Sequence, residues 1–519
     1  MCAIAAVVGN QEYSYDRVRS MLSLMLHRGN YPYEMAQFEG GALGTNRLAI
    51  VDEPGGTQPQ TNENNSVHVV FNGEIFNYRE QTLDLQQVGH TFRTASDTET
   101  LVHLWEQYGS DIVQKLDSEM FAFVIYDTHT KQVFAARDRL GIKPLYYAFN
   151  TQNSLYFASE IKALAQFEDI QEIHEFPPGH VYTDGVFKSF WSIPTSSSYL
   201  TDHSAAILQL RELIEEAVAK RLQTDLPIGV FLSGGVDSSL IMEIATRYHK
   251  NVTALILGSL VSSDFEFATK LCREKGWQFK ICEPTIDYER ELSDLIYSLE
   301  AWNPNAVEHA FANKLISKFA HDLGYKVVLT GEGSDELFAG FNEFLELPQE
   351  KINEGCRRML QSMSKGSHMR VDKMAMKFTL ETRSPLFDNK IIDLAFRVPG
   401  EWKIGNHDGQ TRTKLILREA ASTYLPDYIV WRPKVPFANG AGMDVAMNYT
   451  RSAGVFRDLA NKKISDSMLA DMQTEHPECG FEAKEEVLFF FIYKNHGYTK
   501  FAEGNEPLVM KDVLVRSLV

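Results

Sequence analysis

Short apolar runs, too brief for helices, punctuate this chain and read as strands. Ala3 to Val8 opens it with one such run. Val67 to Phe71 alternates apolar and polar positions, as a strand with one buried face does. Ala122–Asp127 and Val133–Asp138 flank Thr128–Gln132 and read as a hairpin. Ala95–Thr100 precedes a helical pattern, and Phe176–His180 reads as a turn. Ser192–Asp202 is small and polar and reads as a linker. Past it, Ile207, Leu210, Leu213, Ile214, Ala217 and Val218 recur at helical spacing, the core-facing side of a helix. Ile228–Leu232 is a buried strand, Ser233–Ser239 a Gly-rich turn, and Leu240–Ala245 the start of a helix. Thr253–Gly258 and Lys326–Thr330 read as further strands of the same sheet.

The turn after Leu232 carries the first chemistry. Strand, Gly-rich turn and helix are the layout of a phosphate site, where amides and hydroxyls at a helix N-terminus point at an anion. Gly234 and Gly235 let the backbone approach phosphates, and Ser233, Ser238 and Ser239 supply hydroxyls. Asp237 repels phosphate and makes sense as a Mg²⁺ ligand. A bare Ser-Gly-Gly is usually a capped turn; seven consecutive fitting residues in this context exceed that. The segment resembles the pyrophosphate-binding loop of ATP pyrophosphatases, which split ATP into AMP and pyrophosphate. A second loop, Gly331-Glu332-Gly333-Ser334-Asp335-Glu336, leaves the C-terminal end of the strand ending at Thr330. Ligands bind at that end in open α/β sheets, although a solvated acidic turn would have the same composition.

Length and charge narrow the class. The 519 residues imply two or more domains. A net charge of -18 argues against nucleic acid or an anionic membrane as the main partner, since both need a positive surface. The five cysteines show no CxxC spacing, so neither a disulfide framework nor a zinc site is implied, and a reducing cytoplasm is the simple reading. No apolar run is long enough for a membrane span, and the N-terminus lacks signal-peptide regions. The assembly is left open, a homodimer included.

Cys2 alone would read as a small buried residue beginning a strand. It has company. Cys2, His27-Arg28-Gly29, Arg47 to Asp52, Asn72-Gly73-Glu74 and Ser96-Asp97 resemble class II glutamine amidotransferases. The resemblance implies an N-terminal nucleophile hydrolase sandwich of two antiparallel sheets between helices. It also implies that removal of Met1 leaves Cys2 with a free α-amine, pKa about 8, able to act as base for its own thiol. The Asn72 side chain and Gly73 N–H suit the oxyanion. Arg47, helped by the backbone of Leu48, Ala49, Ile50 and Val51, would grip the glutamine carboxylate. Asp97 and Glu74 would take its ammonium. The family has Pro-Asp after His-Arg-Gly; this chain has Asn30-Tyr31, which bears on the loop over the glutamine.

From Cys2 to about Tyr493 the chain resembles glutamine-hydrolysing asparagine synthetases. The Gly331–Glu336 loop, Asp138–Tyr147, Phe157–Leu164, Arg370–Met376, Leu380–Asp388, Lys414–Arg418, Trp431–Gly440 and a last helix from Glu485 to Tyr493 all match in order. The implied domains are 2–191, a glutaminase, and 203–519, a doubly wound parallel-sheet ATP-pyrophosphatase domain. Implied ATP contacts are Leu232, Ser233, Gly234, Gly235, Asp237, Ser238, Ser239, Leu257, Thr330 and Gly331. Asp335 would join Asp237 on Mg²⁺. Glu332 would act as base at the reacting carboxylate or stabilise the cationic ammonia adduct, and Lys434 would face the departing pyrophosphate. The implied reaction adenylates a carboxylate and amidates it with ammonia carried from the glutaminase, aspartate becoming asparagine by default. An intramolecular amide-forming synthetase of the β-lactam synthetase kind is a rival that the intact Cys2 set argues against. A binding protein without activity is another, opposed by retention of both sets of site residues. One departure concerns the acceptor: where the family reads E-T-Y-D-V-T-T-I-R, this chain reads Glu300-Ala301-Trp302-Asn303-Pro304-Asn305-Ala306-Val307-Glu308. Trp302, Glu308 and Arg383 are therefore candidate acceptor-binding residues, and a different carboxylic acid is the alternative to aspartate.

Overall fold

The computed structural model describes all residues except 10, 196–197, 259–261, 284–285, 436–453 and 502–519. The chain forms two compact units. Met1–Ser192 make up the first, joined by Met376–Thr379 and by the stretch that begins at Phe491; Ile193–Ala375 and Leu380–Phe490 make up the second.

The strands of the first unit are β1 (Cys2–Val8), β2 (Glu34–Phe38), β3 (Gly41–Arg47), β4 (Gln60–Thr61), β5 (Val67–Gly73), β6 (Phe121–Asp127), β7 (Gln132–Arg137), β8 (Tyr146–Phe149), β9 (Leu155–Ala158), β10 (His174–Glu175), β11 (His180–Thr183) and β12 (Val186–Ser189). They form two six-stranded sheets, ordered β10-β8-β9-β1-β3-β2 and β12-β11-β7-β6-β5-β4. The pairings are antiparallel, including the β6–β7 hairpin read from sequence.

The pleat decides what faces what. On β5, Val67, Val69 and Phe71 point to one side and join Leu85, Leu101, Leu104 and Trp105 from helices Tyr78–Gln87 and Asp97–Tyr108. Val70 points the other way, into a core shared with Ala122, Val124 and, from β1, Cys2, Ile4 and Ala6. Residue 72 shares the parity of residue 70, so Asn72 and Cys2 turn toward the same inter-sheet layer. A one-residue slip of either strand would expose an apolar row and lose this juxtaposition together.

In the second unit, β13 (Ile228–Phe231), β14 (Val252–Leu257), β15 (Phe279–Cys282), β16 (Val327–Leu329) and β17 (Glu381–Arg383) form one parallel sheet, ordered β15-β14-β13-β16-β17. The chain steps from β13 to β14 and β15 on one side, then returns to β16 and β17 on the other. The strand order therefore reverses between β13 and β16, and loops leaving these neighbours diverge there. Such a switch point is where an open α/β sheet forms its ligand crevice. Helix His203–Lys220 precedes the sheet, begins at Asp202, whose side chain accepts from Ala205 N, and buries Ala206, Leu210, Ile214, Ala217 and Val218. Among the described residues no helix is long and apolar enough to cross a membrane.

Candidate active sites

The first site lies at the start of β1. Cys2 pairs in register with Arg47 of β3. Cys2 N donates to Asn72 Oδ1 at 3.0 Å. That bond turns the Asn72 amide so that its Nδ2, fully buried, has no hydrogen-bond partner among the described residues. A buried donor without an acceptor is costly unless something arrives to use it. Gly73 follows directly; a Cβ there would stand 2.3 Å from Met120 O and 2.8 Å from Phe121 Cα, so only glycine lets β5 end this close to β6. Asp97 Oδ2 accepts from Ile75 N at 3.2 Å, which brings the start of helix Asp97–Tyr108 to Gly73 and Glu74.

Arg47 is held by its own loop. Nη2 donates to Val51 O (2.7 Å) and Asp52 O (2.8 Å), and Nη1 to Glu53 O (2.9 Å). Three of its five N–H donors are engaged, and the guanidinium cannot rotate freely. Of the backbone expected to help it, Ala49 N is committed to Asn30 Oδ1 at 3.1 Å, whereas Leu48 N donates to Met1 O at 2.8 Å and is freed once Met1 is removed. Ile50 and Val51 lie in the same irregular stretch after β3. The Asn30-Tyr31 departure is thereby explained: Asn30 pins this loop, and Tyr31 OH donates to Glu53 Oε1 at 2.8 Å. Sequence reasoning missed Gln58. It receives Phe71 N at 2.8 Å, gives to Thr98 Oγ1 at 3.1 Å, and its Nε2 stands 3.9 Å from Cys2 Sγ.

The second site stands at the switch point of the parallel sheet. Ser233 N donates to Ser238 Oγ at 3.1 Å, folding the turn onto helix Val236–Tyr248. Leu232 N bonds Leu255 O at 2.9 Å, and Leu257 ends β14 beside it, buried. Gly234 and Gly235 complete the turn, and the buried Ser239 hydroxyl has no partner among the described residues. From β16 comes Thr330, whose N bonds Arg383 O at 3.0 Å. A Cβ on Gly331 would lie 3.0 Å from Ser238 N and 3.2 Å from Asp237 Cβ, so this glycine lets the two loops close on each other.

Where they close, charges converge. Lys414 Nζ sits 2.7 Å from Asp237 Oδ2, 2.7 Å from Asp335 Oδ1 and 2.8 Å from Ser334 Oγ. Lys434 Nζ donates to Asp335 Oδ2 at 2.6 Å. Burial pushes the Asp335 carboxyl up, but Lys414 and Lys434 outweigh it and hold it well below the usual carboxylate range. Burial pushes Glu336 up to about 8, with Glu332 and Asp335 adding to the effect. Burial likewise raises Glu332, against the pull of Arg370. A carboxylate so raised accepts a proton more readily near neutral pH. Asp237 and Asp335 share one cation, and Asp237 Oδ1 is buried with no hydrogen-bond partner among the described residues. Two converging carboxylates with a spare oxygen fit Mg²⁺, which takes one or two carboxylates plus phosphate oxygens.

Lys414 was not assigned from sequence. Its backbone is left-handed, φ 55°, just before helix Leu415–Ala421, in a segment that matches the family but carried no assigned role. Arg432 was missed as well: it donates to Ser233 O at 3.1 Å and Asp264 Oδ1 at 2.7 Å, bracing the phosphate turn. Residues 436–440 of the Trp431–Gly440 match lie outside the described residues.

The three acceptor candidates stand on different segments of the second unit. Trp302 is buried against Phe481 and Phe490, with ring centroids at 5.3 and 5.4 Å. Arg383, also buried, donates from Nε to Glu381 Oε1 (2.5 Å) and from Nη1 to Arg221 O (2.7 Å). Glu308 is half-buried on helix Pro304–Asp322. Its neighbour His309 is driven down to about 3 by burial, with Arg370 adding to the effect, and stays neutral at physiological pH.

Known protein families match both parts of the sequence. The description glutamine amidotransferase domain matches residues 1–183, and asparagine synthase matches residues 209–351 and 345–488. Over 515 residues the chain is 34% identical to asparagine synthetase (glutamine-hydrolysing) 2 of Oryza sativa subsp. japonica, covering 95% of this chain and 85% of that one. It is 34% identical to the enzyme numbered 3 of Arabidopsis thaliana, covering 95% and 87%. It is 35% identical over 521 residues to the enzyme of Zea mays, covering 95% and 86%. Both halves are matched in order, and the chain belongs to the family of glutamine-hydrolysing asparagine synthetases, ATP-dependent ligases that form carbon–nitrogen bonds.

Proposed function

We propose that Cys2 releases ammonia from glutamine and that the second unit uses ATP to activate a carboxylic acid, by default the side chain of aspartate, for amidation by that ammonia. The observation that carries this is the Cys2–Asn72 bond, which leaves a buried amide donor unpaired beside the nucleophile. Once Met1 is removed, the Cys2 amine that donates to Asn72 keeps its lone pair, and it takes the thiol proton. The thiolate attacks the glutamine side-chain carbonyl. Asn72 Nδ2 and Gly73 N–H receive the oxyanion, each such donor being worth roughly 10²–10³ in rate. Ammonia leaves with the proton returned by the amine, and water hydrolyses the thioester to glutamate. Arg47 orients the glutamine carboxylate, and Asp97 and Glu74 its ammonium.

In the second unit the acceptor carboxylate attacks the α-phosphorus of ATP and expels pyrophosphate. Leu232, Ser233, Gly234, Gly235, Ser238, Ser239, Leu257, Thr330 and Gly331 cradle the nucleotide. Lys414 and Lys434 present ammonium groups to the departing phosphates. Asp237 and Asp335 would hold Mg²⁺, which when bound neutralises phosphate oxygens. Ammonia then attacks the acyl-adenylate, Glu332 takes a proton from the cationic adduct or pairs with it, and AMP leaves.

A second acceptor class is favoured by two placements. Arg383 is bound to Glu381 and the Arg221 carbonyl, and Glu308 stands where the resemblance has arginine. A carboxylate there repels an acceptor carboxylate and suits an acid carrying an amine nearby. Pyrophosphate release, measured over a panel of amino and carboxylic acids with glutamine and ATP, decides between them. Aspartate is expected to turn over with a KM in the usual metabolite range, about 1 μM–1 mM. No release with aspartate, together with release from an amine-bearing acid, would overturn the default acceptor.

A further inference from the structure

A cluster on the helical side of the first unit has no part in glutamine chemistry. His90, in the connection after helix Tyr78–Gln87, meets His103 and Glu106, which lie three residues apart on one face of helix Asp97–Tyr108. One donor atom from each lies within 4.8 Å of the others. Glu106 Oε2 is 2.9 Å from His103 Nδ1 and 3.6 Å from His90 Nδ1.

The far side of each group is held in the way a metal ligand requires. His90 Nε2 is 3.2 Å from Gln107 Oε1, which places a proton on Nε2 and a lone pair on Nδ1. Among the described residues His103 Nε2 is buried without a hydrogen-bond partner, and the Glu99 carboxylate stands near it, Oε1 at 3.8 Å. Without metal, the 2.9 Å bond to Glu106 carries a proton on His103 Nδ1; a metal arriving there displaces that proton to solvent and leaves Nε2–H toward Glu99, the carboxylate–histidine–metal arrangement. Glu106 Oε1 receives Asn62 Nδ2 at 2.9 Å, which leaves Oε2 to the histidines. Phe92 packs its ring against His103 at 4.6 Å and fixes the plane of the imidazole.

We propose that Nδ1 of His90, Nδ1 of His103 and Oε2 of Glu106 bind a divalent transition metal of the zinc class. Two imidazoles and one carboxylate form a borderline donor set that suits Zn²⁺ and disfavours Mg²⁺ and Ca²⁺. Tetrahedral bonds of about 2.0–2.1 Å put donor atoms about 3.3 Å apart, midway between the two separations above. The side chains of His90 and Glu106 are 17% and 26% exposed, so water completes the site. The site also touches the glutaminase indirectly. Glu99, behind His103, accepts from Arg93 N at 2.9 Å and Thr94 N at 2.7 Å, the segment that leads to Asp97.

The test is Zn²⁺ titration of the full-length, chelator-stripped protein by calorimetry, beside His90→Ala and Glu106→Gln, with thermal melts in the same metal. Both substitutions are partly exposed, and a cooperative melt confirms folding. Wild type is expected to bind one equivalent that each variant lacks or binds about 10- to 100-fold more weakly. Zinc is expected to raise the Tm of wild type more than that of either variant. A second triad, His476, Glu478 and Cys479, binds equally in all three proteins and cancels in the comparison. Equal stoichiometry and affinity in wild type and both variants would show a histidine–carboxylate network only and overturn the site.

Discussion

Cys2→Ala is expected to abolish amide formation from glutamine while leaving formation from added ammonia intact. The thiol is the only nucleophile the proposed glutaminase has, and its loss removes covalent catalysis altogether. Removing a nucleophile that acts as a unit with its base costs on the order of 10⁴–10⁶ in turnover. Packing is barely disturbed: alanine keeps the Cβ, and the backbone bond from residue 2 to Asn72 Oδ1 does not involve the side chain. The second unit carries its own nucleotide and carboxylate groups, none of which lies within β1 or β5. Glutaminase and ammonia-dependent rates, measured on one preparation, separate the two. Residual glutamine hydrolysis at the wild-type rate would show another nucleophile. Loss of both activities would show that the substitution acts through folding.

The next largest effect is expected from Asp335→Asn, on ATP-dependent turnover, with glutaminase preserved. Asp335 holds two ammonium groups at once, Lys414 at 2.7 Å and Lys434 at 2.6 Å. It is also one of the two carboxylates suited to Mg²⁺. An amide keeps the shape but provides one acceptor and no charge, so Lys434 loses the carboxylate that holds it and Lys414 keeps only Asp237 and Ser334. A loss of about 4 kcal/mol of transition-state stabilisation, about 10³-fold in rate, is the scale for such electrostatic groups. Two crowded cations then remain, so ATP itself should still bind while ATP–pyrophosphate exchange falls. Exchange at the wild-type rate would remove Asp335 from the chemistry.

Much of both sites was legible because its signals are local. The alternation from Val67 to Phe71 recurs in β5, and it alone carries Asn72 to the inner face. The apolar run before Ser233 is β13, and the run before Gly331 contains β16; each glycine-bearing loop follows its strand directly. What was not legible depends on distant chain. Lys414 reaches Asp237 across 177 positions, and Arg432 reaches Ser233 across 199. Both lie in segments that match the family, but their partners are distant in sequence, so neither received a role of its own. Gln58 was missed for the same reason: it acts by bonding Phe71 N, a backbone group brought to it by the sheet. Trp302 drew attention as a substitution at a matched position, but its packing partners Phe481 and Phe490 lie far along the chain and were not legible. The stretch Met376–Thr379 belongs to the first unit although its neighbours on both sides belong to the second, and no composition shift announces that.

The central claim is that the nitrogen freed beside Cys2 becomes the nitrogen of the product amide. Glutamine labelled with ¹⁵N in its side-chain amide, supplied with ATP and aspartate, tests it most directly by mass spectrometry of the products. The expected result is ¹⁵N in the side-chain amide of asparagine, with one AMP and one pyrophosphate formed for each labelled amide. Labelled ammonia accumulating beside glutamate, with no AMP and no labelled amide from aspartate or any other acid in the panel, would contradict it.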